Sequence, residues 1–216
     1  MKKALFAWGG WDGHEPRQTT EKASAALAGA GFEVEVVDTL DAFKDAEKVK
    51  TYDLIVPCFT MANIEGDQWA GMEQAVKSGV GFAGWHGGAG DAFRSNTGYQ
   101  FLVGGQWVAH PGGILDYEVK VLNYTDDPIV EGIGDFKMHS EQYYMHVDPS
   151  NEVLAVSILG HTDEAPWVKG CIMPAVWKRK YGQGRVFYSS LGHNAADFDV
   201  PEVLEILKRG MIWAAR

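Results

Sequence analysis

Apolar positions along the N-terminal part of the chain alternate between short unbroken runs and helical spacings. Lys3 to Trp8 (KALFAW) is a run that stops at Gly9 and Gly10, and the alanine-rich stretch Gln18 to Ala30 has helical composition closed by Gly31. Phe32 to Val37 (FEVEVV) alternates as a strand does. Tyr52 to Phe59 (YDLIVPCF) is almost continuously apolar, as strands buried on both faces are, and Pro57 is expected at its end. Glu65 to Lys77 carries Trp69, Met72 and Val76 at helical spacing, and Gly79 to Trp85 (GVGFAGW) reads as another buried strand stopping at His86. This alternation predicts a parallel, doubly wound sheet.

The middle of the chain changes character. Ile114 to Leu122, Glu141 to Val147 and Val153 to Ile158 follow one another without long helices between them, which predicts an antiparallel extension. The end returns to the earlier pattern, with Ala175 to Lys180 and Arg185 to Ser190 flanking the turn Tyr181-Gly182-Gln183-Gly184, and Pro201 to Ala214 as an amphipathic helix. No repeat, linker or interior boundary interrupts the chain, so 1–216 reads as a single α/β domain.

Charge and composition remove several function classes. With 29 acidic and 19 basic residues the net charge is −10, which offers no positive field to a phosphate backbone and argues against a nucleic-acid partner. No stretch approaches the ~20 apolar residues of a membrane span, and the opening MKKALFAW lacks a secretory signal, so a cytoplasmic protein is expected. Cys58 and Cys171 are too few for a disulfide scaffold or a cysteine zinc site, and both lie in apolar settings. Glycine, at 26 of 216 residues, exceeds its ~7% norm, which points to tight turns.

In open α/β sheets the ligand crevice lies beyond the carboxyl ends of the strands. His14, His86 and His193 each follow a predicted parallel strand and sit among glycines, which permit positive φ and close backbone approach, so all three should face one rim. Glu141, beside His139, Tyr143, Tyr144 and His146, is the acidic candidate, a carboxylate entering a strand where partial burial would let it hold an imidazole or move a proton. Histidine and glutamate at one rim also offer ligands to Zn²⁺ or Mn²⁺, with His14, Glu141 and His193 as the set. No compact metal motif is present, so a metal-free site stays open beside that one. Trp8, Trp11, Trp85 and Trp107 lie near the same loops and could cover sugar faces, or pack in the core. Gly84-Trp85-His86-Gly87-Gly88 stands where a nucleophile elbow would stand, but histidine replaces the Ser or Cys, and the glycine-rich segments fit neither G-x-G-x-x-G nor the P-loop.

The chain resembles the trehalose-utilisation, or ThuA-like, family over nearly its whole length. The motifs that carry the resemblance are His14, Gly84-Trp85-His86-Gly87, Leu102-Val103-Gly104-Gly105 with His110-Pro111, and Ser140-Glu141-Gln142-Tyr143-Tyr144. Tyr181 to Tyr188, Leu191-Gly192-His193 and Arg209 to Ala214 complete them. The resemblance implies a flavodoxin-like fold related to class I glutamine amidotransferases, with His86 where those enzymes carry the elbow cysteine and His193 resembling their later histidine. The missing cysteine counts against glutamine hydrolysis. Many relatives carry an Asp-Glu pair where this chain has Ser140-Glu141, so only the glutamate carries over.

The resemblance further implies a role in breaking down trehalose-type disaccharides through 3-keto sugars. Proton abstraction beside the ketone, giving isomerisation or elimination, fits the residues better than acyl transfer. Glu141 or His86 is then the base, His193 the partnering acid or a metal ligand, and Trp11, His14, Trp85, His110, Gln142 and Tyr143 the substrate-binding set. The competing expectations are a metal-dependent hydrolase and a noncatalytic sugar-binding partner of a sugar dehydrogenase. The acidic, aromatic-rich composition permits a homo-oligomer.

Overall fold

The computed structural model describes residues 1–122 and 126–216. In chain order the elements are β1 (Lys3–Gly10), α1 (Pro16–Gly29), β2 (Glu33–Val37), α2 (Ala46–Val49), β3 (Leu54–Thr60), α3 (Gly66–Lys77), β4 (Gly81–Trp85) and α4 (His86–Gly90). There follow α5 (Thr97–Val103), β5 (Gly105–Ala109), β6 (Ile114–Val121), β7 (Phe136–Glu141), β8 (Tyr144–Val147), β9 (Glu152–Ile158), β10 (Ile172–Tyr181), β11 (Gly184–Ser189) and α6 (Pro201–Ala214).

Nine strands form one sheet in the order β2-β1-β3-β4-β11-β10-β9-β6-β7, and β5 pairs β8 in a separate ribbon. The first five are mutually parallel, and from β11 onward every pairing is antiparallel. The α/β fold with a parallel sheet and an antiparallel extension is therefore as the hydrophobic pattern predicts.

Period-two alternation divides the core between the faces of the sheet. Leu5, Ala7, Ile55 and Phe82 pack on one side with residues of α3 and α5, while Ala4, Phe6, Leu54, Val56, Ala83 and Trp85 pack on the other with α1 and α6. Helix starts follow local chemistry. Pro16 opens α1, two residues before the alanine-rich stretch, because a proline at the first helical position loses no hydrogen bond. The side chain of Gln68 accepts from the Glu65 backbone N–H at 2.9 Å, so the capped helix α3 begins after Glu65.

Two expectations are corrected. Pro57 lies inside β3 rather than at its end; the β3–β4 ladder stops at Ile55–Phe82, so the missing N–H falls beyond that pairing. Of the predicted strand Glu141 to Val147 only Tyr144–Val147 is one strand, and Phe136–Glu141 is a further strand that the sequence pattern missed. Glu141 closes β7, which joins the large sheet through β6, whereas Tyr144 opens β8, which pairs β5. Gln142 and Tyr143 form the corner and are both buried, and their apolar company is what imitates a continuous strand.

Candidate functional site

Each imidazole reaches the rim by its own local device. His14 ends a single 3-10 turn (Asp12–His14) that follows β1, and its Nδ1 lies 3.0 Å from Thr60 Oγ1 at the end of β3. His86 is the first residue of α4, with φ +41°, in the left-handed region that a non-glycine residue adopts only when its surroundings hold it there. The glycines beside it were expected to supply positive φ; instead His86 takes it and Gly87 provides room. A Cβ on Gly87 would stand 2.5 Å from the His14 ring and 2.9 Å from the Tyr143 hydroxyl. His193 follows Gly192 (φ +97°), and its backbone N–H donates to Asp197 Oδ2 at 2.9 Å.

The carboxylate comes from the opposite end of the pairing order. Although β7 is the outer strand of the sheet, Ser140 Oγ donates to Asp197 Oδ2 at 2.7 Å, which ties β7 to the loop after β11 and brings Glu141 onto the imidazoles. Glu141 Oε2 lies 3.1 Å from His86 Nε2, 3.4 Å from His193 Nδ1 and 3.7 Å from His14 Nε2. Its other oxygen, Oε1, lies 3.7 Å from His110 Nε2. One ligand-type atom from each of His14, His86, Glu141 and His193 falls within 4.8 Å of the others.

Burial and charge set the protonation of this cluster. Burial favours a neutral Glu141, but contacts from His14, His193 and His86 outweigh it and hold the carboxyl well below the usual range. Burial pushes His86 down to about 3; the bond to Glu141 opposes this and the neighbouring imidazoles add to it. For His193 burial works downward, yet the bond to Glu141 prevails and raises it. The Tyr143 ring stacks on His86 at 4.0 Å, and burial keeps its hydroxyl protonated well above the ordinary range.

Beside the cluster is a cleft of about 140 Å³ lined by Trp11, His14, Arg94, Trp107, His110 and Glu141 among others. The Arg94 guanidinium donates twice to Asp91, at 2.6 and 2.8 Å, and lies 4.8 Å from the centre of the Trp107 ring. Arg94 and Asp91 carry no motif in the sequence; only their spacing of three, on the turn after α4, could have suggested a pair.

The sequence-predicted residues therefore divide. His14, His86, Glu141 and His193 meet in one cluster, with Tyr143 stacked on it and His110 and Trp11 at the cleft. Trp85 does not join them: it points to the α6 side, is 2% exposed and meets Phe198 edge-on, because alternation along β4 sends it to the other face. Gln142 is also apart, since Nε2 donates to the Ile158 carbonyl and the residue borders a different, larger cleft. Of the two histidines flanking Glu141 in sequence, His139 pairs with Asp116 at an exposed edge and His146 is exposed on β8. Cys58 is buried against Gly88, and burial raises its thiol to about 12, so it offers no nucleophile.

A parallel sheet that ends in a cluster of three histidines and one carboxylate, with His86 rather than a nucleophile at the strand-to-helix turn after β4, defines the class of α/β protein to which this chain belongs. The chain belongs to the ThuA family, described as trehalose utilisation, whose profile matches residues 3–214. Membership assigns it to carbohydrate utilisation. No curated protein sequence matches it. Among solved structures, a ThuA-like protein of Bacteroides uniformis ATCC 8492 is similar at TM-score 0.80 and 20% identity, covering 99% of this chain and 91% of that one. A ThuA-like protein of Parabacteroides merdae ATCC 43184 gives 0.77 and 17%, covering 99% and 89%. A cytoplasmic protein of Salmonella typhimurium LT2 gives 0.71 and 13%, covering 99% and 100%. These likenesses concern the fold. Among the described residues no helix is long and apolar enough to cross a membrane.

Proposed function

We propose that the protein is a carbohydrate-modifying enzyme that removes a proton beside the ketone of a 3-keto derivative of a trehalose-type disaccharide. The observation that carries this reading is the division of Glu141 between two surroundings, with Oε2 gathered by three imidazoles and Oε1 facing His110 at the cleft. His110 lines the cleft with Nε2, the nitrogen nearest Glu141, while its Nδ1 is buried, and an imidazole beside a carboxylate is suited to general acid–base work. His86 is sealed at 1% exposure with both ring nitrogens engaged, and Glu141 Oε2 is committed to the cluster, so the proton acceptor is His110 rather than either of them.

A ketone acidifies the adjoining C–H bonds. His110 takes that proton, and the C–H electron pair becomes an enolate whose oxygen is steadied by the cluster behind it. His110 then returns the proton to the former carbonyl carbon while the enediol hydroxyl proton passes to the former ketone oxygen, which moves the carbonyl, or gives it to an alkoxide expelled from the carbon β to the ketone, which cleaves that C–O bond. Trp11 and Trp107 offer flat apolar faces to a sugar ring, and Arg94 offers donors to its hydroxyls. The family description supports the substrate class. The ketone itself must come from a dehydrogenase that oxidises a sugar hydroxyl.

The test is proton exchange in heavy water, followed by NMR with a 3-keto disaccharide and the purified protein. Deuterium should enter beside the ketone, and His110→Ala should slow entry by about 10²–10⁴-fold, the usual contribution of a positioned acid or base. Undiminished exchange in His110→Ala, or none with the wild type, overturns the proposal.

A further inference from the structure

We propose that His14 Nε2, His86 Nε2, His193 Nδ1 and Glu141 Oε2 together bind one divalent transition-metal ion, Zn²⁺ or Mn²⁺. The argument begins with the hydrogen that His86 carries. Its Nδ1 lies 2.8 Å from the carbonyl oxygen of Ser190, which can only accept, so the ring hydrogen is on Nδ1. Neutral His86 then presents a lone pair at Nε2, in a pocket where the neighbours are Glu141 Oε2 at 3.1 Å and His193 Nδ1 at 3.3 Å. Ring nitrogens and a carboxylate oxygen gathered this closely away from water must share either hydrogens or a cation.

The spacings suit a cation. Nitrogen and oxygen ligands about 2.0–2.1 Å from a tetrahedral ion are about 3.3 Å from one another. The His86–Glu141, His86–His193 and His193–Glu141 separations of 3.1, 3.3 and 3.4 Å match that edge. His14, at 3.7 Å from Glu141, stands wider and lines the cleft, so the coordination sphere is loosest where a substrate oxygen would enter.

The outer partners are those of ligating histidines, which commonly donate their second ring N–H to a carbonyl or hydroxyl. Ser190 O serves His86 and Thr60 Oγ1 serves His14. Three imidazoles and one carboxylate suit Zn²⁺ or Mn²⁺ and do not suit Ca²⁺ or Mg²⁺, which favour oxygen ligands. The role of the ion, polarising the ketone and holding the enolate oxygen, rests on the keto-sugar reading above; its binding does not.

Metal content is measured on the full-length protein without reference to turnover. Metal-free protein, titrated separately with Zn²⁺ and Mn²⁺ by calorimetry, should bind one ion per chain, and cobalt substitution should give visible absorption. Glu141→Gln and His193→Ala should each weaken binding at least tenfold while circular dichroism stays native. His110→Ala should bind as the wild type does, even though it loses proton exchange, so the two proposals fail separately. No binding of either ion at micromolar concentration, or equal binding by the wild type, Glu141→Gln and His193→Ala, overturns the inference and leaves the cluster held by shared protons alone.

Discussion

The cleft beside the imidazole cluster encloses about 140 Å³, and the one lined by Leu115, Tyr117, Gln142, Ile158 and Thr162 encloses about 390 Å³. The smaller is ringed by side chains drawn from five segments far apart in sequence, several of them buried and held in place by hydrogen bonds. The larger lies among strands of the antiparallel extension, and Ile158 on its wall is exposed. Volume measures only how much room is left by packing, whereas chemistry needs polar groups fixed before the ligand arrives. The strain at His86 and the near contact at Gly87 lie at the smaller cleft.

That contrast is broken most severely at Asp197, the buried carboxylate that ties the extension to the parallel half. Asp197→Ala removes the acceptor of Ser140 Oγ and of the His193 backbone N–H and should cost about 3 kcal/mol, from hydrogen bonds to a charged group and a buried hydroxyl left unpaired. Urea unfolding measures it, and a loss under ~1 kcal/mol would mean that the halves are held together elsewhere. Gly87→Ala comes next, at about 2 kcal/mol, because the new methyl group must displace the His14 ring or the Tyr143 hydroxyl. Metal binding should weaken with it; a fully stable variant that binds metal normally would show that the site is looser than its contacts indicate. Least affected should be Ile158→Ser in the larger cleft, with a stability change within about 0.5 kcal/mol and unaltered proton exchange. Slower exchange in that variant would move the substrate to the larger cleft, next to Gln142.

Legibility from sequence followed locality. Helix α6 is read from its amphipathic spacing and Pro201 with both ends as found, and the buried strands β3 and β4 from their unbroken apolar runs. Helix α5 and strand β5 were missed, although Asn96, whose side chain accepts from the Tyr99 N–H at 2.9 Å, is a cap that marks the helix start. The corner at Gln142-Tyr143 was unreadable because both residues are buried, as strand residues are.

The sequence by itself determined the alternation of strands and helices, the histidines at strand ends and the loss of a nucleophile at the elbow, since each of these depends on near neighbours along the chain. Only the tertiary structure decided that Glu141, on the outermost strand by pairing order, turns back onto three imidazoles, that Trp85 faces the core, and that Arg94 pairs with Asp91 over Trp107. The return of Glu141 depends on the buried Ser140–Asp197 hydrogen bond between segments distant in sequence, and which face Trp85 and Arg94 present matters only once neighbouring elements have packed against them, so contacts between distant segments are set by packing that no local pattern encodes.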